Sequence, residues 1–193
     1  MLIDISQELF SCTVFPGDPE PKKEDLLRIS DGDVCNLTAF SMCAHNGTHV
    51  DAPFHFIDDG RTIDEISLKT FIGDCFVVRF EGDISGDDAK NIVQRATEAE
   101  APKRILIGGK ATVTADAARV FADSGLKLLG NESQTVGPED APMEVHLILL
   151  GAGLVLLEGI RLGGVEEGKY LLMAQPINLG NCDGAPCRAV LMK

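Results

Sequence analysis

Three of the four histidines of this 193-residue chain fall within eleven residues, His45-Asn46-Gly47-Thr48-His49-Val50-Asp51-Ala52-Pro53-Phe54-His55. Imidazole nitrogens beside a carboxylate are ligands that suit a divalent ion such as Zn or Mn. The spacing is His-x3-His-x-Asp-x3-His. On a helix, His45 and His49 would share a face and Asp51 would be turned away from it. Gly47 and Pro53 also oppose a helix. In an extended segment His49 and Asp51 project to one side, because side chains alternate along a strand. Gly47 then lets the backbone turn so that His45 converges on them.

The remaining histidine, His146, lies in an apolar stretch that reads as a helix, and Glu158 ends an apolar run that reads as a strand. Taken alone, the first suits a hydrogen-bonded core histidine and the second a solvent-facing acid. A turn between helix and strand brings both back to one end. There they could supply an imidazole and a carboxylate to a second ion, with Asp51 bridging. Paired ions roughly 3.5–4 Å apart are a common hydrolytic arrangement. Cys43, two residues before His45, could approach the same centre or be a buried core thiol.

The elements that must position these groups follow from periodicity and punctuation. A short strand is expected over 2–5. Phe15-Pro16-Gly17-Asp18-Pro19 is a turn-forming loop, and its Phe15 is either a surface aromatic or a lid over a site. Residues 36–43 alternate and form the strand that leads into the histidine loop. Further strands are expected over 75–80, 104–107, 126–129, 154–157, 170–174 and 188–192, with an Asp183-Gly184 turn between the last two. Ser85 caps a helix whose stripe is Ile92, Val93 and Ala96. Thr114 opens a second helix that Gly125 ends. Asp140 caps a third, with Pro142 in its first turn, running through His146 to about residue 150. Gly108-Gly109-Lys110 resembles part of a phosphate-binding loop, but Arg104 stands at the first required glycine and Ala111 at the Ser/Thr position. The alternation of strands and helices, without repeat or linker, predicts one mixed α/β domain over 1–193.

Composition narrows the function classes. The chain is 45% hydrophobic and 24% charged, ordinary for a globular protein. A formal net charge of −13 argues against nucleic acid and against anionic membrane surfaces, which both need a basic footprint. Met1-Leu2-Ile3-Asp4-Ile5-Ser6 has neither the basic region nor the apolar run of a signal peptide, and no stretch has the length of a membrane span. The six cysteines include no Cys-x-x-Cys pair. A cytoplasmic protein with reduced thiols is expected.

These residues carry a resemblance. Asp4-Ile5-Ser6, Pro16-Gly17-Asp18, the His45–His55 loop, His146, Glu158 and Asp183-Gly184-x-Pro186-x-Arg188 resemble the metal-dependent cyclase and hydrolase family that includes bacterial kynurenine formamidase and isatin hydrolase. The resemblance runs nearly end to end. It implies a swivelling β/β/α-type fold with a mixed sheet, and a homodimer or homotetramer. It also implies one ion held by His45, His49 and Asp51, a second held by Asp51, His146 and Glu158, and His55 as general acid/base. Phe15 stands where formamidases carry a pocket tryptophan, and this chain has no Trp. Gly108-Gly109-Lys110 replaces an Arg-Thr-Gly of the family, and Glu132 stands where an aspartate is common.

The activity expected is hydrolysis of an amide C–N bond in a small aromatic substrate, arylformamidase-type, turning N-formylkynurenine into kynurenine and formate. A divalent ion, Zn or alternatively Mn, would bring the pKa of a water from 15.7 toward about 7. Phe15 would pack on the substrate ring, and Phe15 with the region around Lys110 would decide the substrate. The alternatives are a ring-opening hydrolase of a cyclic amide or lactone such as isatin, and a metal-binding protein without catalysis.

Overall fold

Residues 105–107 alternate between two apolar cores: Ile105 and Ile107 enter one, Leu106 the other. Residues 75–78 do the same, with Phe76 and Val78 against Cys75 and Val77. A strand with both faces buried belongs to a sheet covered on both sides. The computed structural model describes residues 1–193 and contains that sheet.

In chain order the strands are β1 (Leu2–Asp4), β2 (Lys22–Leu27), β3 (Leu37–Ser41), β4 (His49–Asp51), β5 (Ile72–Arg79), β6 (Gly82–Ile84) and β7 (Arg104–Gly108). There follow β8 (Ala111–Val113), β9 (Leu128–Asn131), β10 (Val155–Glu158), β11 (Gly168–Met173), β12 (Gly184–Pro186) and β13 (Val190–Met192). The helices are α1 (Leu68–Phe71), α2 (Gly86–Glu98), α3 (Ala115–Asp123) and α4 (Met143–Gly151). Nine strands form one mixed sheet in the order β1-β13-β11-β5-β7-β9-β10-β4-β12. Its centre, β5-β7-β9-β10, is parallel, and α2, α3 and α4 make the crossovers. The order advances in one direction, so crossovers of one hand put the three helices on one face. Ile92, Phe121 and Leu149 fill the core on that side. The antiparallel outer strands bury Val50, Leu172 and Leu191 on the other.

Caps set the helix starts. Ser85 and Asp88 form a capping box at α2, and the Thr114 hydroxyl accepts from Ala117 N at α3. In α2, Ile92 and Ala96 are buried and Val93 only half so. α4 departs from expectation. Asp140 does not cap it; residues 138–141 form a turn closed by Ala141 N donating to Pro138 O at 3.2 Å, and Pro142 is the N-cap.

Two further differences concern strands. Residues 184–186 are a strand, β12, hydrogen-bonded to β4, where a turn was expected. β2 was not expected, because its Lys-Lys-Glu-Asp run has no apolar alternation. It pairs with β3 in a separate hairpin whose residues are exposed apart from half-buried Leu27 and Ala39. No helix is long and apolar enough to cross a membrane.

Candidate metal centre

β4 and β10 build the floor of the site. Their antiparallel register sets His49 opposite Glu158, Val50 opposite Leu157 and Asp51 opposite Leu156. Val50 and Leu157 belong to the core away from the helices. Strand alternation therefore sends His49, Asp51 and Glu158 to the helix face. α4 packs on that face and brings His146 to the same place. Gly47, with φ +66°, turns the chain ahead of β4 and carries His45 back over Asp51.

The three imidazoles share one pattern. His49 Nδ1 lies 3.2 Å from Gly47 O, and His146 Nδ1 lies 2.8 Å from Pro142 O. A carbonyl only accepts, so each Nδ1 donates and each Nε2 is left to face the acids. His49 Nε2 is 3.3 Å from Asp51 Oδ1 and 3.5 Å from Glu158 Oε2. His146 Nε2 is 3.7 Å from Asp51 Oδ2 and 3.4 Å from Glu158 Oε1. His45 is tied by its other nitrogen: Nε2 is 2.7 Å from Asp183 Oδ2, and Nδ1 faces Asp51 Oδ1 at 2.9 Å. Tying one ring nitrogen to a fixed acceptor is how proteins orient imidazoles toward a metal.

Donor atoms of His45, Asp51 and His55 gather in one group, and those of His49, Asp51 and Glu158 in another. Asp51 belongs to both. This grouping differs from the pairing the resemblance implies, since His55, rather than His49, stands closest with His45. The two rings stack with centroids 4.0 Å apart.

The residues fit a divalent cation. Asp51 is 1% exposed, and its Oδ2 has no hydrogen-bond partner. Leaving a buried acceptor unpaired costs about 1–3 kcal/mol, more when it is charged. Three imidazole nitrogens and two buried carboxylates aimed inward are a donor set for Zn or Mn. Burial opposes charging His45, but hydrogen bonds with Asp183 and Asp51 outweigh it and raise its pKa to about 11. Burial likewise opposes charging His49, and Asp51 and Glu158 outweigh it, to about 9. Burial would raise Asp51, yet hydrogen bonds from His45 and His49 hold it well below the usual carboxylate range. His45, then His55, depress Asp183.

Asp183 is the functional residue that local sequence reading missed. Besides holding His45, its Oδ2 lies 3.3 Å from His55 Nδ1. Nothing near position 183 announces a contact that spans 138 residues to His45. The next residue makes room for it. A Cβ on Gly184 would stand 2.8 Å from His45 Cε1 and 2.7 Å from Val50 O.

A cavity of about 210 Å³ opens above these groups. Phe15 lines it, as do His45, His49, His55, His146 and Glu158. Phe56, also unforeseen, stacks on His146 with centroids 4.6 Å apart. Asp18, Gln134, Thr135 and Pro142 complete the wall. One alternative closes and one expectation fails here. Cys43 turns its thiol toward Asp18 Oδ2, 3.8 Å away, and joins neither ligand group. Lys110 lines a different hollow with Glu132 and Ser133, so it does not shape this cavity. Glu132 itself is structural, accepting from Gly109 N at 2.6 Å and Leu162 N at 2.7 Å.

Comparison with known proteins agrees with this scaffold. The Cyclase family model matches residues 3–138. A kynurenine formamidase of Salinibacter ruber is 32% identical, over 98% of this chain and 96% of its own length. A solved structure described as a potential metal-dependent hydrolase with cyclase activity superposes with a TM-score of 0.81 at 25% identity, over 99% of this chain and 96% of that one. Isatin hydrolase A of Labrenzia aggregata shares the fold, with a TM-score of 0.83 at 20% identity, over 99% of this chain and 93% of that one. The histidine loop lies within the matched span, and the chain belongs to the cyclase family.

Proposed function

We propose that this chain is a metal-dependent hydrolase of the amide C–N bond in small aromatic substrates, arylformamidase-type, acting on N-formylkynurenine. The observation that carries the reading is the convergence of three scaffold-tied imidazoles on Asp51 and Glu158, with Asp51 Oδ2 lacking a donor. The kynurenine formamidase name of a full-length relative supports the substrate class. His45, His49, His146, Asp51 and Glu158 would hold the metal, Zn or alternatively Mn, as two ions with Asp51 common to both. When bound, the metal supplies Lewis acidity and lowers the pKa of water.

The chain's own residues do the rest. Phe15 and Phe56 flank the substrate ring and exclude water from it. Asp183 holds His55 at Nδ1 and leaves Nε2 to carry a proton. Water adds its oxygen to the amide carbonyl, the C–N bond breaks, and the amine leaves with a proton delivered by His55. The products are a carboxylate and a free arylamine. The same reading takes the protein as a cytoplasmic homodimer or homotetramer. Six unpaired cysteines suit a reducing compartment, and exposed Leu26, Leu37 and Phe40 on the β2–β3 hairpin offer surface for self-contact.

The test is His49→Ala, assayed for formyl-arylamine cleavage with Zn or Mn restored. Turnover should be lost; unchanged turnover overturns the mechanism. His55→Ala should keep its metal content and lose rate. Assaying N-formylkynurenine beside isatin separates formamide cleavage from ring opening.

A further inference from the structure

The wall of the cavity contains no lysine and no arginine. Its ionisable side chains are four histidines and two acids, Glu158 on the floor and Asp18 on the loop that carries Phe15. A neighbouring hollow shares Phe15, Gln134 and Thr135 and adds Glu132 and Glu139, again with no cation. Across the molecule 30 acidic residues face 17 basic ones, so the wider field also disfavours anions.

Asp18 differs from Glu158, the other acid of the cavity wall, because no ion pair neutralises it. His45, His49 and His146 face Asp51 and Glu158, and His45 and His55 face Asp183. Asp18 is half-buried and takes part in no ion pair; the one hydrogen bond its carboxylate accepts is from the Cys43 thiol at 3.8 Å, a weak donor. Its loop is fixed by Asp18 N donating to Phe15 O at 3.1 Å, which keeps the acid beside the aromatic wall.

We propose that Asp18 is a specificity residue that selects aromatic amides carrying an ammonium group and disfavours those carrying only a carboxylate. The inference rests on the arylamide reading above and adds the charge of the substrate's non-reacting part. A ring packed against Phe15 places its substituent near the Asp18 carboxylate. An ammonium there gains a charge-assisted hydrogen bond. A carboxylate there meets like charge, and the lining offers no lysine or arginine to offset it. A substrate bearing both groups would set its ammonium toward Asp18.

The experiment measures binding apart from catalysis. The metal-loaded protein is titrated calorimetrically with 4-aminobenzylamine, 4-aminobenzyl alcohol and 4-aminobenzoate, three product-like amines differing in charge. The N-formyl derivatives are assayed in parallel. The cation should bind about ten-fold more tightly than the anion, with the alcohol between them. Asp18→Asn should bring the cation-to-alcohol ratio close to one, and Asp18→Lys should reverse cation and anion. A wild-type cation-to-anion ratio below about two-fold, or variant ratios equal to wild type, would overturn the proposal. Binding ratios that follow residue 18 while no formyl derivative is cleaved would sink the hydrolase reading and leave the charge selection standing.

Discussion

Gly184→Ala tests the construction of the site without replacing any group proposed to hold metal. The added methyl would lie 2.7 Å from Val50 O and 2.8 Å from His45 Cε1. Both distances are too short for carbon, and neither neighbour can swing aside cheaply. Val50 O belongs to β4, which is paired on both sides, and the His45 ring is held between Asp51 and Asp183. Overpacking of this kind costs about 1–3 kcal/mol. For a chain of this size about 2 kcal/mol lowers Tm by roughly 4–8 °C. The displaced ring should also weaken Zn binding by about 10–100-fold, the usual effect of misorienting a ligand. Thermal melts of the metal-free protein and chelator-competition titrations read the two effects separately. Adding His45→Ala should recover part of the lost stability, since it removes one of the two clashes, so the pair should be non-additive. A metal-free Gly184→Ala protein that melts within about 1 °C of the parent and binds Zn equally would refute the reasoning.

Metal uptake should release protons. His45 and His49 keep theirs to about pH 11 and 9 in the metal-free protein, and ligation requires neutral imidazole. The metal-free form thus holds more protons than the loaded one, so raising pH through 7 to 9 should tighten binding. Calorimetry in two buffers of different ionisation heat reads the release, and identical heats would contradict it. Thr48→Val removes a buried hydroxyl that accepts from Gln7 N at 2.9 Å and donates to Gly159 O at 2.8 Å. It should cost about 1–3 kcal/mol in urea unfolding. Burial pushes the Cys75 and Cys187 thiols up to about 12, whereas Cys35 is exposed. Alkylation at pH 8 followed by mass spectrometry should mark Cys35 first, Cys187 slowly, and Cys75 only on unfolding.

The histidine loop was legible because its information is local. Two-residue spacing and strand alternation put His49 and Asp51 on one side, and Gly47 has the positive φ that the turn needs. The central strands were legible for the same reason, as apolar runs between capped helices, whereas their parallel pairing was not. What escaped the sequence depends on pairing between distant segments. Gly184 next to Asp183 reads as a turn until β4 is seen beside it, where the absent side chain accommodates the His45 ring. Asp183 carries no local mark of its partners, and Phe56 reads as one more apolar residue until α4 sets His146 over it. β2 is charged over its first four residues, since a ribbon paired only with β3 has no core to face. Asp140 has the right type for a cap, but the cap is Pro142, two residues later.

β4 is only three residues long, and both its edges are paired. Insertion or loss of one residue there would exchange its two faces, driving His49 and Asp51 into hydrocarbon and presenting Val50 to Glu158. Descendants of this chain can therefore trade side chains around the loop one at a time, yet its length is frozen. Diversification by indel is open to the protruding ribbon of residues 22–41 and closed to the segment that follows it.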